Sequence, residues 1–292
     1  MIKLSNGHKL EYLAASGALG YDGKGYWWEQ FPKIINLFDV SLFTPITKTL
    51  TYKPRKGNFR WYKPTETIKF IDGGIINAMG LGNPGFNWWY SKYRNDGNKQ
   101  IVSIYSEDTL DLVSMILILN NSNAIGIEIN ESCPNACISS EKKIIEDCNI
   151  ARKISDKPII LKLSVLHASN KNLKDFLEKI DVDAISINSV PWNIVFPDKK
   201  SPFEKFGGGA VSGKIIQPYT WNFIKELKEV TDIPIIGCSV WEYEDIQKLY
   251  DLGASAISFG GIFLRYPWKP TKFIRKYENM KIENMKIENM KI

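Results

Sequence analysis

The amino-acid sequence predicts a single (β/α)8 barrel. Short apolar, β-branched runs recur along the chain, as strands buried on both faces should. Segments of helical periodicity lie between most of them. The two longest departures from this alternation both begin where a strand ends, the side on which barrels of this kind build their sites. At 292 residues and 44% hydrophobic composition the chain can bury one large core, and its length does not demand a second domain.

In chain order, the strand candidates are Tyr12–Ser16, Asp39–Thr44, Ile101–Tyr105, Ala124–Ile129, Pro158–Leu163, Asp183–Ile187, Ile233–Gly237 and Ala256–Gly260. Helices are expected over Glu107–Leu119, Glu141–Ile154, Leu173–Ile180, Tyr219–Val230 and Tyr243–Leu252. Ser140 stands before Glu141 as a cap for the second of these. An open doubly wound sheet is the competing architecture, but no G-x-G-x-x-G follows the first strand. The barrel is expected over residues 1–277, with insertions at about 49–85 and 191–218. The last fifteen residues, Glu278–Ile292, are three copies of ENMKI. A five-residue period fits neither a heptad nor a solenoid unit, so a mobile tail is expected there.

Composition narrows the function classes. A formal charge of +6, spread along the chain, is no nucleic-acid footprint. The densest basic run, YKPRKGNFRWYK at Tyr52–Lys63, carries Pro54 and Gly57 and reads as a solvated hairpin. Cys133, Cys137, Cys148 and Cys238 follow no paired framework, and the histidines are His8 and His167 alone, so no metal site is expected. The first residues contain no apolar run of signal or anchor length, which sets a cytoplasmic location and no membrane contact as the expectation.

The barrel hypothesis gathers Ser16–Gly17, Lys48, Asn130, Lys162, Asn188, Gly237 and Gly260–Gly261 at one mouth. Lys162 interrupts the apolar strand PIILKLSV. It either snorkels to the rim or sets a cation beside a phosphate or an electron-rich ring. GGGAVSG, Gly207–Gly213, suits close approach of backbone to a phosphate or flat ring, or a plain flexible loop. Cys133, in IGIEINESCPN, is inert packing or a catalytic thiol, and lacks partners for a metal. Asn130 and Asn135 beside it can each donate and accept, as the edge of a small heterocycle requires.

Several of these stretches resemble one family. N-E-S-C-P-N at Asn130–Asn135 is similar to the N-x-S-C-P-N signature of class 1 dihydroorotate dehydrogenases. AASGALGY at Ala14–Tyr21, TKTLTYKPRKGN at Thr47–Asn58 and NAMGLGNPG at Asn77–Gly85 resemble further segments of it, most closely in the NAD-linked subclass. Lys162, Ile187–Ser189, Gly208–Gly213 and the last glycine pair follow in family order.

The resemblance implies an FMN-binding barrel that oxidises dihydroorotate to orotate in pyrimidine biosynthesis. Cys133 would be the general base for the C5 proton while a hydride leaves C6 for the flavin, and Lys48 would lie between flavin and substrate. The pyrimidine would be held by Asn77, Met79, Gly80, Leu81, Asn130, Asn135, Asn188 and Ser189. The FMN would be lined by Ala15, Ser16, Gly17, Asn130, Lys162 and Ile187, then by Gly208, Gly209, Ser212 and Gly213. Gly237, Cys238, Ser239, Gly260 and Gly261 would complete its phosphate end. Departures from the family pattern fall at that end, where Gly237-Cys238-Ser239-Val240 replaces a glycine cluster and Gly260-Gly261 a Gly-Thr. Glu131 stands at a place normally apolar.

Two other readings keep the barrel: a dehydrogenase for dihydrouracil-type pyrimidines, and a degenerate flavin-binding scaffold. A tRNA-directed relative is disfavoured by the dispersed charge. The resemblance also implies a homodimer and, for the NAD-linked subclass, an iron–sulfur flavoprotein partner; fumarate as direct acceptor stays open.

Overall fold

The computed structural model describes residues 1–95, 99–131, 140–167 and 172–289. Eight parallel strands form the barrel: β1 Tyr12–Ala14, β2 Thr44–Pro45, β3 Ile101–Ile104, β4 Gly126–Asn130, β5 Ile159–Leu163, β6 Ala184–Ile187, β7 Ile235–Gly237 and β8 Ala256–Phe259. Each pairs with its sequence neighbour, and β8 pairs with β1. The circuit closes between β2 and β3 through parallel bridges at Ile46–Ile101 and Leu50–Ile104. A right-handed strand–helix–strand path repeated around a circle has this order and no other.

Seven of the expected strands differ from the observed ones by a residue or two at their ends. The second is shifted: Val40–Leu42 is a 3-10 turn, and the strand proper is Thr44–Pro45. Asp39 explains the difference, because its carboxylate accepts from the Ser41 amide at 3.1 Å and the Ser41 hydroxyl at 2.6 Å. Such a local side-chain bond competes with ladder formation. The helix Glu141–Ile154 has the expected bounds, with the Ser140 hydroxyl accepting from the Lys143 amide. The helix expected from Tyr219 starts at Gln217, where Pro218 suits the first turn. That expected over Leu173–Ile180 stops at Leu177.

Inward-facing positions alternate along each strand and stack in layers. The lowest layer is apolar: Leu13, Ile46, Ile101, Ile125, Ile160, Ala184, Ile236 and Ala256 form one buried cluster with Ile2, Leu4 and Leu10. Those last three belong to an N-terminal hairpin, Ile2–Lys3 against Lys9–Leu10, which plugs the floor of the barrel. Further along the strands the inward layer turns polar, with Ser103, Glu128, Lys162, Ser186 and Ser258 all buried.

The two insertions fold together. Ile68–Ile71 and Gly74–Asn77 pair with each other, and the latter pairs with Ala210–Gly213, which in turn pairs with Val190–Pro191. This four-stranded antiparallel sheet stands over the mouth. As far as Asn289 the ENMKI segment is helical. One helix runs over Trp268–Asn289, and Tyr12 bonds Glu278 while Lys281 bonds Glu11 and Glu278. Glu, Met and Lys are strong helix formers, so the repeat extends a helix already packed on the barrel. Among the described residues, no helix is long and apolar enough to cross a membrane.

Candidate active site

A cleft lies between the C-terminal ends of the barrel strands and the inserted sheet. The segment after β1 brings Ala15, Ser16 and Gly17 to it, and β5 brings Lys162. The end of β6 contributes Ile187, Asn188 and Ser189. The inserted sheet and the loop that follows it supply Asn77, Met79, Ser212 and Gly213. The ends of β7 and β8 supply Cys238, Ser239, Gly260 and Gly261. Fifteen of the sequence-derived site residues thus share one surface.

Others support that surface from behind. Asn130 is buried; its amide donates to Thr49 Oγ1 at 3.0 Å, and its carbonyl accepts from Asn188 at 3.4 Å. Lys48 packs under Gly17, and its ammonium donates to the Tyr21 hydroxyl and the Gly82 carbonyl. Gly80 and Leu81 belong to a loop latched by Asn83, whose side chain accepts from the Thr51 and Gly85 amides and donates to the Leu81 carbonyl. Gly208 and Gly209 precede the Ala210–Gly213 strand, and a β-carbon on Gly209 would press within 2.7 Å of the Asn77 carbonyl. Gly237 faces away from the cleft: a side chain there would meet Ala254 at 2.9 Å and Leu249 at 3.2 Å, under the helix Asp245–Asp251. Cys133 and Asn135 lie outside the described residues.

Sequence reasoning missed the polar layer below the cleft. Glu128 Oε1 accepts from Ser103 at 2.8 Å and Lys162 at 3.3 Å, and Oε2 accepts from Ser186 at 3.1 Å. Thr49 connects Ser103 to Ser16, at 2.9 and 3.0 Å. Lys162 stood out in the sequence, but Ser103, Glu128 and Ser186 did not, each a polar residue at an alternate position inside a run read as nearly continuous in apolar character. Lys162 therefore does not snorkel to solvent; it is 7% exposed, paired below and open to the cleft above. Also missed were Ala18, Ile68, Ile216, Val240, Ser258 and Leu264, which complete the lining.

The cleft has one cationic pole and a wall without side chains. A β-carbon on Gly261 would come within 2.8 Å of Ser212 Oγ, and one on Gly260 would meet only Ala15, at 3.4 Å. Ser239 holds a left-handed backbone, φ 69°, where glycine is the usual occupant. Its hydroxyl is turned to Thr220 at 3.1 Å and Cys238 at 3.5 Å. Burial pushes the Cys238 thiol above its ordinary range, so it presents a neutral surface. A flat, anionic ligand with polar ring edges fits this donor set.

Glu131 is fully buried with Oε2 3.4 Å from the Lys143 ammonium, which also pairs with Asp147 a helical turn on. A carboxylate at this normally apolar place is compensated by that cation. Burial, reinforced by the charges of Glu131 and Asp147, drives the neighbouring Cys148 thiol far above its usual range.

A (β/α)8 barrel with a ligand cleft at the C-terminal ends of its strands is an enzyme architecture of many chemistries, so fold alone names none. Comparison with known proteins is specific. Residues 18–279 match the family model for dihydroorotate dehydrogenase, and the chain belongs to that family, one of oxidoreductases. It is 30% identical over 274 residues to the catalytic subunit of dihydroorotate dehydrogenase B (NAD(+)) of Caldicellulosiruptor saccharolyticus, covering 89% of this chain and 85% of that one. It is 31% identical over 261 residues to the same subunit of Petrotoga mobilis, covering 85% and 82%. The Malacoplasma penetrans subunit is 27% identical over 282 residues, covering 91% and 87%.

Proposed function

We propose that the protein is an FMN-dependent dihydroorotate dehydrogenase of pyrimidine biosynthesis. The observation that carries this reading is the convergence on one cleft of Lys162, Asn188–Ser189 and the Gly260–Gly261 wall, in a chain of this family. FMN bound there supplies the acceptor for the hydride leaving C6 of dihydroorotate. Lys162 would stabilise charge accumulating on the ring, and the Ser239–Val240 and Gly260–Gly261 segments, which also line the cleft, would hold the phosphate end.

The chain's own residues do the rest. Asn77 and Asn188 meet the amide edge of the substrate from opposite walls, and Asn130 fixes Asn188 through its carbonyl. By the motif likeness, Cys133 would take the C5 proton and Asn135 would hold the substrate. Lys48, held by Tyr21 and Gly82, fixes the backbone under Gly17 and closes the flavin side. Likeness to relatives named as catalytic subunits of an NAD(+)-linked enzyme supports a second, electron-transferring subunit; an iron–sulfur flavoprotein in that role, a homodimer and a cytoplasmic location complete the proposal.

The test is turnover of the FMN-loaded protein with an artificial acceptor. Orotate forms from dihydroorotate, and dihydrouracil is a poorer substrate. Faster turnover of dihydrouracil, or none of either, overturns the assignment.

A further inference from the structure

We infer that Glu128 tunes the electron affinity of the cofactor site by acting as counter-ion to Lys162. The inference rests on the FMN reading and extends it to a residue that does not touch the ligand. Glu128 sits in the middle of β4 and is fully buried, below the layer that lines the cleft. Three strands converge on its carboxylate: Ser103 from β3 at 2.8 Å, Lys162 from β5 at 3.3 Å and Ser186 from β6 at 3.1 Å. Lys162 alone of this group lines the cleft. A ligand above therefore meets the positive end of an ion pair whose negative end lies on the far side.

The electrostatic consequence follows from this order. An isolated buried cation would stabilise negative charge on a reduced ring strongly, because little solvent screens it. A carboxylate directly behind the cation offsets part of that potential at the ring, leaving a dipole in place of a full charge. Glu128 thus lowers the ring's appetite for electrons while keeping Lys162 aimed at the cleft. A flavin reduced by one partner and reoxidised by another has to sit between the two potentials, and an unpaired lysine would hold it too firmly in the reduced form. Glu128 is in this sense a positioning and charge-setting residue, not a catalytic one. A purely structural role would make it matter to stability alone.

The measurement is an anaerobic redox titration of bound FMN in the holoprotein and in E128Q, K162Q, the double variant E128Q/K162Q and S103A. E128Q keeps the side chain's shape, its amide oxygen accepting from one serine and its amide nitrogen donating to the hydroxyl oxygen of the other, and removes the charge, so its midpoint potential shifts upward. K162Q shifts downward, and the double variant, neutral like the native pair, returns toward the wild-type value. S103A keeps the charges and stays near wild type. Should E128Q fail to fold, the double variant is compared with K162Q and must titrate above it. Equal potentials for E128Q and wild type, or for K162Q and the double variant, overturn the inference. A wild-type protein that takes up no FMN overturns the cofactor reading first, and is recognised because no variant is needed to see it.

Discussion

Glu29 is fully buried; its Oε2 accepts from the Tyr26 amide at 2.6 Å and its Oε1 has no hydrogen-bond partner among the described residues. Burial raises its pKa from 4.5 to about 7, against the lowering effect of the Tyr26 amide. Between those values an unfolded chain releases the proton and the folded one keeps it, so stability falls as pH rises across that window. The full loss is on the order of 3 kcal/mol, at about 1.4 kcal/mol per unit. Glu29→Gln removes the ionisation: urea melts at pH 5 and pH 8 should then differ less than for the native protein. Parallel curves for the two proteins would refute this. Cys133 is a separate matter, because its assigned role is a proton transfer. Cys133→Ala should lower dihydroorotate oxidation by roughly 10²- to 10⁴-fold while leaving the visible FMN spectrum intact; loss of bound flavin instead would mean a structural role.

The terminal helix is tied to the barrel by Glu278 and Lys281, while Ile282, Met285 and Ile287 are exposed. Deleting residues 283–292 should change folding free energy by less than about 0.5 kcal/mol, whereas deleting 278–292 should cost on the order of 1–2 kcal/mol. Equal effects in denaturant titrations would contradict the attachment described. At the joint of the two insertions, Gly213 has φ 112°, and a β-carbon would lie 2.6 Å from the Gly73 carbonyl. Gly213→Ala should cost on the order of 1–3 kcal/mol and weaken FMN binding measurably by fluorescence titration; native affinity would show that this edge of the sheet does not border the cofactor. The barrel strands were readable because both-face burial leaves an apolar signature. The inserted sheet was not, since the pairing that joins its two halves spans more than a hundred positions and its segments are rich in glycine and aromatic residues. The repeat helix was hidden for another reason: its period matched no packing rule, and its anchors are polar contacts of Glu278 and Lys281 and the packing of Met280 against the core.

The whole molecule places an apolar floor, a charged middle layer and an open mouth in sequence along one barrel axis. Most mouth residues could be named from strand ends and from motif likeness, because strand ends are where a barrel puts its chemistry. The buried Ser103–Glu128–Lys162–Ser186 layer could not, since a lone polar residue in a short strand carries no statement of what lies across the barrel. Nor could the direction of Gly237, whose side-chain position faces Leu249 of the helix Asp245–Asp251. The account stands on a cofactor at the mouth that accepts electrons from dihydroorotate. The most direct measurement is an anaerobic visible spectrum of the FMN-loaded protein before and after dihydroorotate is added. Bleaching of the flavin band on the addition of stoichiometric dihydroorotate is the predicted result; a band that persists in excess dihydroorotate would contradict the assignment.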